Sequence, residues 1–294
     1  MEKTGIEKSE LVLTSEGRIY HLNLKPEDVA DTIFLVGDPG RVKIMSALFD
    51  SIETVVENRE FVTHTGYFNS KRISVISTGI GTDNIDIVVN ELDALFNIDL
   101  VTRKVKDNKQ KLNLIRIGTS GALHRDIEPG SVIVSEISCG LDNLLYYYKA
   151  FGAVTEANLS EAFRSHMNWP AASSNPYFVR SSEKLLKKVG SPEYFYGITL
   201  SAPGFYAPQG RTLRMEIFDP DYVQKISSFR FGELRINNFE MEGSALYGLS
   251  RILGHEALTI CIALANRISG KFITDYKSFI ERLLKDILTR MTHD

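Results

Sequence analysis

Three short segments carry residue types able to hold an oxyanion beside a sugar. In Phe34-Leu35-Val36-Gly37-Asp38-Pro39-Gly40-Arg41 an apolar run stops at a glycine, and an arginine follows a second glycine. Glycine N–H groups can turn inward around an anion, a helix start adds partial positive charge, and Arg41 offers a bidentate fork. An ordinary turn with a surface arginine would read the same way. In Leu114-Ile115-Arg116-Ile117-Gly118-Thr119-Ser120-Gly121 an arginine sits inside an apolar strand, where its charge needs a partner. The strand is expected to end at Ile117, leaving Gly118 to Gly121 as N–H and O–H donors. A structural ion pair is the alternative, but two such arginines favour phosphate. In Asn238-Phe239-Glu240-Met241-Glu242-Gly243 two carboxylates flank a methionine at a helix start. Carboxylates accept from sugar hydroxyls and methionine gives a soft apolar floor. Acids that merely stabilise a helix N-terminus would leave the same letters.

Other chemistries find less support. Ser77-Thr78-Gly79-Ile80-Gly81-Thr82-Asp83-Asn84 holds a GxG, with Asp99 further on, as a dinucleotide-binding oxidoreductase would have. Its third glycine is replaced by Asn84, which reads as a helix N-cap. The six histidines show no ligand spacing, His255-Glu256 lacks the second histidine of HExxH, and no GxSxG surrounds Ser120. Cys139 and Cys261 form no CxxC, which excludes a disulfide framework or a cysteine-rich zinc site.

Short apolar runs must position these segments. Thr32 to Val36, Arg72 to Ser77, Leu112 to Ile117, Ser131 to Ile137 and Ala257 to Ala265 read as strands covered on both faces. Asn84 to Phe96, Glu242 to Leu253 and the stripe from Tyr276 to Met291 read as helices. The alternation predicts a layered α/β fold. The 294 residues carry 34 Lys and Arg against 37 Asp and Glu, a net charge of -3, so neither a basic excess for nucleic acid nor an acidic tail appears. No apolar run reaches the roughly 20 residues that span a bilayer. Met1 to Glu10 is charged, without the apolar core of a signal peptide, so the chain reads as a cytoplasmic protein. Without a divisive linker or repeat, residues 1–294 read as one domain. The basic run Arg103 to Lys111 reads as a solvated loop, and Lys149 to Pro176 as irregular structure with short helices.

These segments, in this order, resemble the nucleoside phosphorylase family of trimeric and hexameric type, and most closely its uridine phosphorylase branch. The carriers are Gly37-Asp38-Pro39-x-Arg41, Arg59-Glu60-Phe61, Arg116-Ile117-Gly118-Thr119-x-Gly121 and Phe239-Glu240-Met241-Glu242. The resemblance implies a three-layer α/β/α fold with a mixed, barrel-like central sheet. It implies a pentosyltransferase in which phosphate displaces a base at the anomeric carbon. By that resemblance Gly37, Arg41, Arg116 and Thr119 bind phosphate, joined by Arg59 from a neighbouring subunit. Glu240, Met241 and Glu242 hold ribose, and His21 crosses the same interface to the ribose 5′-hydroxyl.

Phe205-Tyr206-Ala207-Pro208-Gln209-Gly210-Arg211 resembles the uridine-specific segment. Gln209 would match the uracil edge, Arg211 hold its carbonyl, Phe205 stack, and Arg267 brace Gln209. Purine members place an Asp where this chain reads Leu264-Ala265-Asn266-Arg267. Purine cleavage, hydrolysis by water and a non-catalytic nucleoside-binding protein are the rivals. The resemblance further implies a homo-oligomer, a hexamer built as three dimers, with uridine and phosphate as its small-molecule partners. No cofactor is expected. Some bacterial relatives hold potassium at the dimer interface through a serine; Glu60 and Ile80 are kept here, but Asn84 stands in the serine's place.

Overall fold

The computed structural model describes residues 5–293; Met1 to Thr4, part of the segment read as lacking a signal peptide, and Asp294 lie outside them. The first half of the chain contributes β1 (Thr32–Val36), α1 (Pro39–Ser46), β2 (Ser51–Asn58), β3 (Phe61–Phe68), β4 (Lys71–Ser77), α2 (Thr82–Asn97), β5 (Ile98–Asp99), β6 (Lys104–Val105), β7 (Asn113–Ala122) and β8 (Val132–Gly140). The second half contributes α3 (Phe151–Val154), α4 (Ala157–Met167), β9 (Tyr177–Arg180), α5 (Glu183–Val189), β10 (Phe195–Ser201), α6 (Tyr222–Ser228), β11 (Arg230–Phe231), β12 (Leu234–Glu240), α7 (Gly243–Leu253), β13 (Glu256–Asn266) and α8 (Lys277–Thr292).

The central sheet is mixed. Strand β13 pairs parallel with β7 and antiparallel with β8; β8 and β10, and β10 and β12, pair parallel. β12 then returns antiparallel to β7 through Asn238 opposite Ala122 and Phe239 opposite Gly121. Five strands thus close into a barrel, and β1, β4, β3 and β2 extend from β7 as an open wing. Closure corrects the sequence expectation for Gly118 to Gly121. The strand does not stop at Ile117 but continues through them, because their backbone groups are engaged by β12 and β13.

Helices cover both faces, giving the three-layer α/β/α arrangement. One core gathers Val88, Val89, Leu92 and Leu95 of α2 with Leu246 and Leu249 of α7. On another side, α1, α5 and α8 bury Val42, Leu185, Leu284 and Leu288 against Phe34, Ile115 and Ile260. A third core packs Phe163 of α4 and Ile226 of α6 on β8, β10 and β12. The expected strands are present, with β7, β8 and β13 each running further than their apolar cores implied. Residues 149–176 hold the two short helices α3 and α4. Among the described residues no helix is long and apolar enough to cross a membrane.

Two local expectations change. Asn84 is not the N-cap of α2: the helix starts two residues earlier behind Gly81, whose φ of 99° suits glycine alone. The basic run is exposed from Lys104 to Lys111, as a solvated loop would be, but its start is ordered. β5 and β6 pair there, and the Arg103 guanidinium is clamped on main-chain oxygens of the N-terminal strap: Nε on Ile6 O (2.8 Å), and Nη2 on Glu7 O (3.0 Å) and Leu11 O. The strap buries Leu11, Ile19, Leu22 and Leu24. Replacing Arg103 by alanine removes the donor from three carbonyls. It should cost about 1–3 kcal/mol in urea unfolding and speed hydrogen exchange across residues 5–24. Unchanged exchange there would mean that the strap is held by its apolar side chains alone.

Candidate active site

The C-terminal ends of β1, β4, β7, β12 and β13 open on a cavity of about 610 Å³, the position where parallel strands of an α/β sheet commonly bind ligands. Ten of the residues singled out in the sequence line it: Gly37, Arg41, Arg116, Thr119, Phe205, Gln209, Arg211, Glu240, Met241 and Glu242. Three do not, namely His21, Arg59 and Arg267.

Arg116 is the buried centre. Its own motif offers it no acid, yet β12 and the residues just after it bring two. Nη2 pairs with Glu242 Oε2, and Nη1 lies 3.4 Å from Glu240 Oε2. Burial alone would lower its pKa, but Glu242 and Glu240 outweigh it and hold the guanidinium charged. Nη1 also lies 3.9 Å from Cys261 Sγ, while Nε has no partner among the described residues. The guanidinium folds back across Gly118, where a Cβ would lie 2.1 Å from Nη1. Gly118 is therefore required for close approach.

Arg41 stands near it at the start of α1, a helix capped by Asp38, whose carboxylate accepts from Gly40 N at 2.8 Å. Burial first and Arg116 second lower the Arg41 pKa. Among the described residues its side chain makes no hydrogen bond or ion pair. An unpaired guanidinium beside a second, buried one whose charge depresses its pKa can accept an anion between them.

The two carboxylates divide their work. Glu240 accepts from Glu242 N (2.9 Å), from Gly243 N (3.0 and 2.9 Å) and from the Ser201 hydroxyl, so it anchors the N-terminus of α7. Its pKa is raised by burial, against the pull of Arg116. Glu242 reaches the other wall, accepting from Gly81 N at 2.8 Å. The GxG turn read as a dinucleotide signature is thus a wall of this same cavity.

A second group forms the far end. The guanidinium of Arg211 lies 3.8 Å from the Phe205 ring centroid and donates to Phe205 O and Gln209 Oε1, both at 2.6 Å. Burial, then Arg267, lower its pKa to about 10, so it remains a cation at neutral pH. Arg267 braces Gln209 through the main chain, donating to Gln209 O (3.0 Å) and Gly210 O (3.3 Å). Asn266 holds this strand end in place: Nδ2 donates to His124 O and Ile127 O, and Oδ1 accepts from Ile268 N and Ser269 N.

Sequence reading missed Leu264, Ala265 and Phe272 as cavity residues. The register of β13 shifts between Ala263 and Ala265, which brings Leu264 and Ala265 to the wall, and a bridge from Ala265 carries Phe272 beside them. Neither device leaves a periodic signature.

His21 and Arg59 lie together outside the cavity. The Tyr20 ring meets the His21 ring edge-on at 5.0 Å, and Arg59 sits 5.7 Å from the Tyr20 centroid. Arg59 has a φ of 55°, a strained backbone for a non-glycine residue. Asn84 Nδ2 lies 3.4 Å from Glu60 Oε1. Among the described residues no three His, Cys, Asp or Glu side chains group as metal ligands.

Comparison with known proteins agrees with this architecture. The family model described as phosphorylase superfamily matches residues 31–289. A uridine phosphorylase of Thermococcus kodakarensis is 31% identical over 261 residues, covering 88% of this chain and 81% of that protein. A DeoD-type purine nucleoside phosphorylase of Alkaliphilus metalliredigens is 30% identical over 255 residues, covering 85% and 88%. A solved structure of a Trypanosoma brucei nucleoside phosphorylase, described as showing uridine phosphorylase activity, superposes with a TM-score of 0.86 at 29% identity, covering 95% of this chain and 98% of that one. From the first strand of the sheet to the last helix, the chain belongs to the phosphorylase superfamily.

Proposed function

We propose that the protein is a uridine phosphorylase, converting uridine and phosphate to uracil and ribose 1-phosphate. The carrying observation is the pairing, across one cavity, of a two-arginine anion site with a Gln209–Arg211 platform. Arg41 and Arg116 hold phosphate, with Gly37 and Thr119 beside it. Glu242 and Met241 receive the ribose, and Glu240 keeps Arg116 and α7 in place. As the bond from the anomeric carbon to the uracil nitrogen breaks, its electron pair leaves with the base. A phosphate oxygen then bonds to that carbon. Gln209 and Arg211 hydrogen-bond the uracil anion, which water later protonates. Rate enhancement comes from positioning and from charge stabilisation in a buried site. No metal or organic cofactor has a role in this scheme.

The purine reading has one observation in its favour, the purine nucleoside phosphorylase relative at 30% identity. Against it, the β13 end offers the amide Asn266, already committed to four main-chain groups, where a purine base would call for an acid.

His21 and Arg59 share one outer patch although 38 positions apart, and neither reaches the chain's own cavity. We read that patch as the part lent to a neighbouring subunit's site, in a hexamer made of three dimers.

Three measurements test this. First, product formation from uridine should require phosphate. Because Arg41 is unpaired, Arg41→Ala should fold normally, raise KM for phosphate and lower turnover by about 10²–10³. Arg116→Ala should also lose activity, but it leaves two buried carboxylates uncompensated and should cost about 3–5 kcal/mol of stability. Cleavage of uridine without phosphate would point to a nucleosidase, and no cleavage at all to a binding protein. Second, kcat/KM for uridine should exceed that for inosine by a factor on the order of 10⁴, with cytidine weak. Gln209→Ala should lose discrimination as well as rate. Inosine equal to uridine would favour the purine reading. Third, Arg59→Ala and Arg41→Ala, each inactive alone, should regain part of the activity when mixed, since hybrid dimers contain one intact site. A fully active monomer in sedimentation would refute the shared site.

A further inference from the structure

The imidazole of His21 is held more firmly than an exposed tail histidine needs to be. The carboxylate of Glu91, on α2, receives three N–H groups from the strap. His21 N donates to both of its oxygens (3.0 and 3.1 Å), Leu22 N donates to Oε2 (2.8 Å), and His21 Nδ1 lies 2.6 Å from Oε1. From the end of β2, Asn58 Nδ2 donates to His21 O at 2.7 Å. Both main-chain groups of His21 and one ring nitrogen are therefore fixed by elements distant in sequence. The side chain of Glu91 is only 13% exposed and that of His21 31%, so the grip is sheltered while part of the ring stays open.

The chemistry of the contact sets the tautomer. A carboxylate only accepts, so Nδ1 carries the proton, and Nε2 is the nitrogen left to accept whenever the ring holds a single proton. A carboxylate behind the imidazole also makes that far nitrogen a stronger acceptor, as it does for histidines that bind metals. Two main-chain bonds would be enough to fix the turn; the third contact orients the ring.

We propose that Glu91 is a positioning residue for the reaction. It locks His21 in the Nδ1–H form and aims Nε2 at the ribose 5′-hydroxyl of a nucleoside bound in the neighbouring subunit. This rests on the shared-site reading above, and the hydroxyl is the donor in the contact. The strap, α2 and the end of β2 thus act together as a preset arm rather than a loose tail.

The test compares kcat/KM for uridine and for 5′-deoxyuridine, with phosphate saturating, in the full oligomer. Wild type should prefer uridine by about tenfold, the value of one hydrogen bond, and His21→Ala should remove that preference. Glu91→Gln keeps an oxygen for the strap's main-chain N–H groups but loses the charge behind the ring. It should lower the uridine value about three- to tenfold, mainly through KM, and leave 5′-deoxyuridine unchanged. Glu91→Ala should do the same more strongly. The ring-nitrogen NMR shifts of His21 should report the Nδ1–H form in wild type and lose it in Glu91→Gln. If His21→Ala leaves the substrate ratio unchanged, the shared-site reading falls and the proposal with it. If His21→Ala removes the ratio but Glu91→Gln keeps it, or lowers both substrates equally, only the positioning role of Glu91 is overturned.

Discussion

A guanidinium buried between two carboxylates sets the terms for the rest of this molecule. Arg116 sits on a strand with almost no exposure, which is costly unless opposite charge comes to it. Glu240 and Glu242 supply that charge, and each is tied to something else. Glu240 holds the N-terminus of α7 and the Ser201 hydroxyl at the end of β10, and Glu242 holds the turn that opens α2. Fixing one arginine thus fixes two helix starts and the strand ends that lead into them. Removing the cation would leave both acids uncompensated, whereas the neighbouring Arg41, unpaired among the described residues, is free to meet a ligand.

The barrel explains how this arrangement comes about. Strands β7 and β12 are far apart in sequence, and only their antiparallel contact at Gly121 and Ala122 brings the arginine and the acids to one end of the sheet. A side chain at Gly118 would occupy the guanidinium's place. The far end of the cavity follows a different logic. Gln209 and Arg211 come from a loop, not a strand, and Arg267 ties that loop to the barrel by its main chain. On the function proposed, a rigid end for the anion and a loop-borne end for the base suit a reaction in which one substrate is constant and the other sets specificity.

The outer patch adds a third constraint. His21 and Arg59 meet through Tyr20, while Arg103 clamps the strap upstream of them. A residue run that looks like mere charge in sequence therefore supports the strap that carries His21, because a guanidinium donates to several carbonyls at once.

Apolar runs and their spacing determined the five expected strands, the three helices and the α/β class, since burial on both faces requires continuous hydrophobic residues. Glycine and arginine in Gly37-Asp38-Pro39-Gly40-Arg41, and Arg116 inside its strand, likewise marked the anion end, because a charge buried in an apolar strand must be met by an opposite charge or a ligand. Only tertiary structure decided the remainder. Strand β7 runs through Gly118 to Gly121 because β12 engages it, and no local preference announces a partner so distant in sequence. Asn84 yielded the cap position to Gly81 and folded onto Glu60, a choice set by packing and not by propensity. Phe272 and Leu264 reached the cavity through a bridge and a register shift, and Glu91 found His21 across seventy residues. Sequence records which groups carry charge or shun water; which of them meet depends on how the sheet closes.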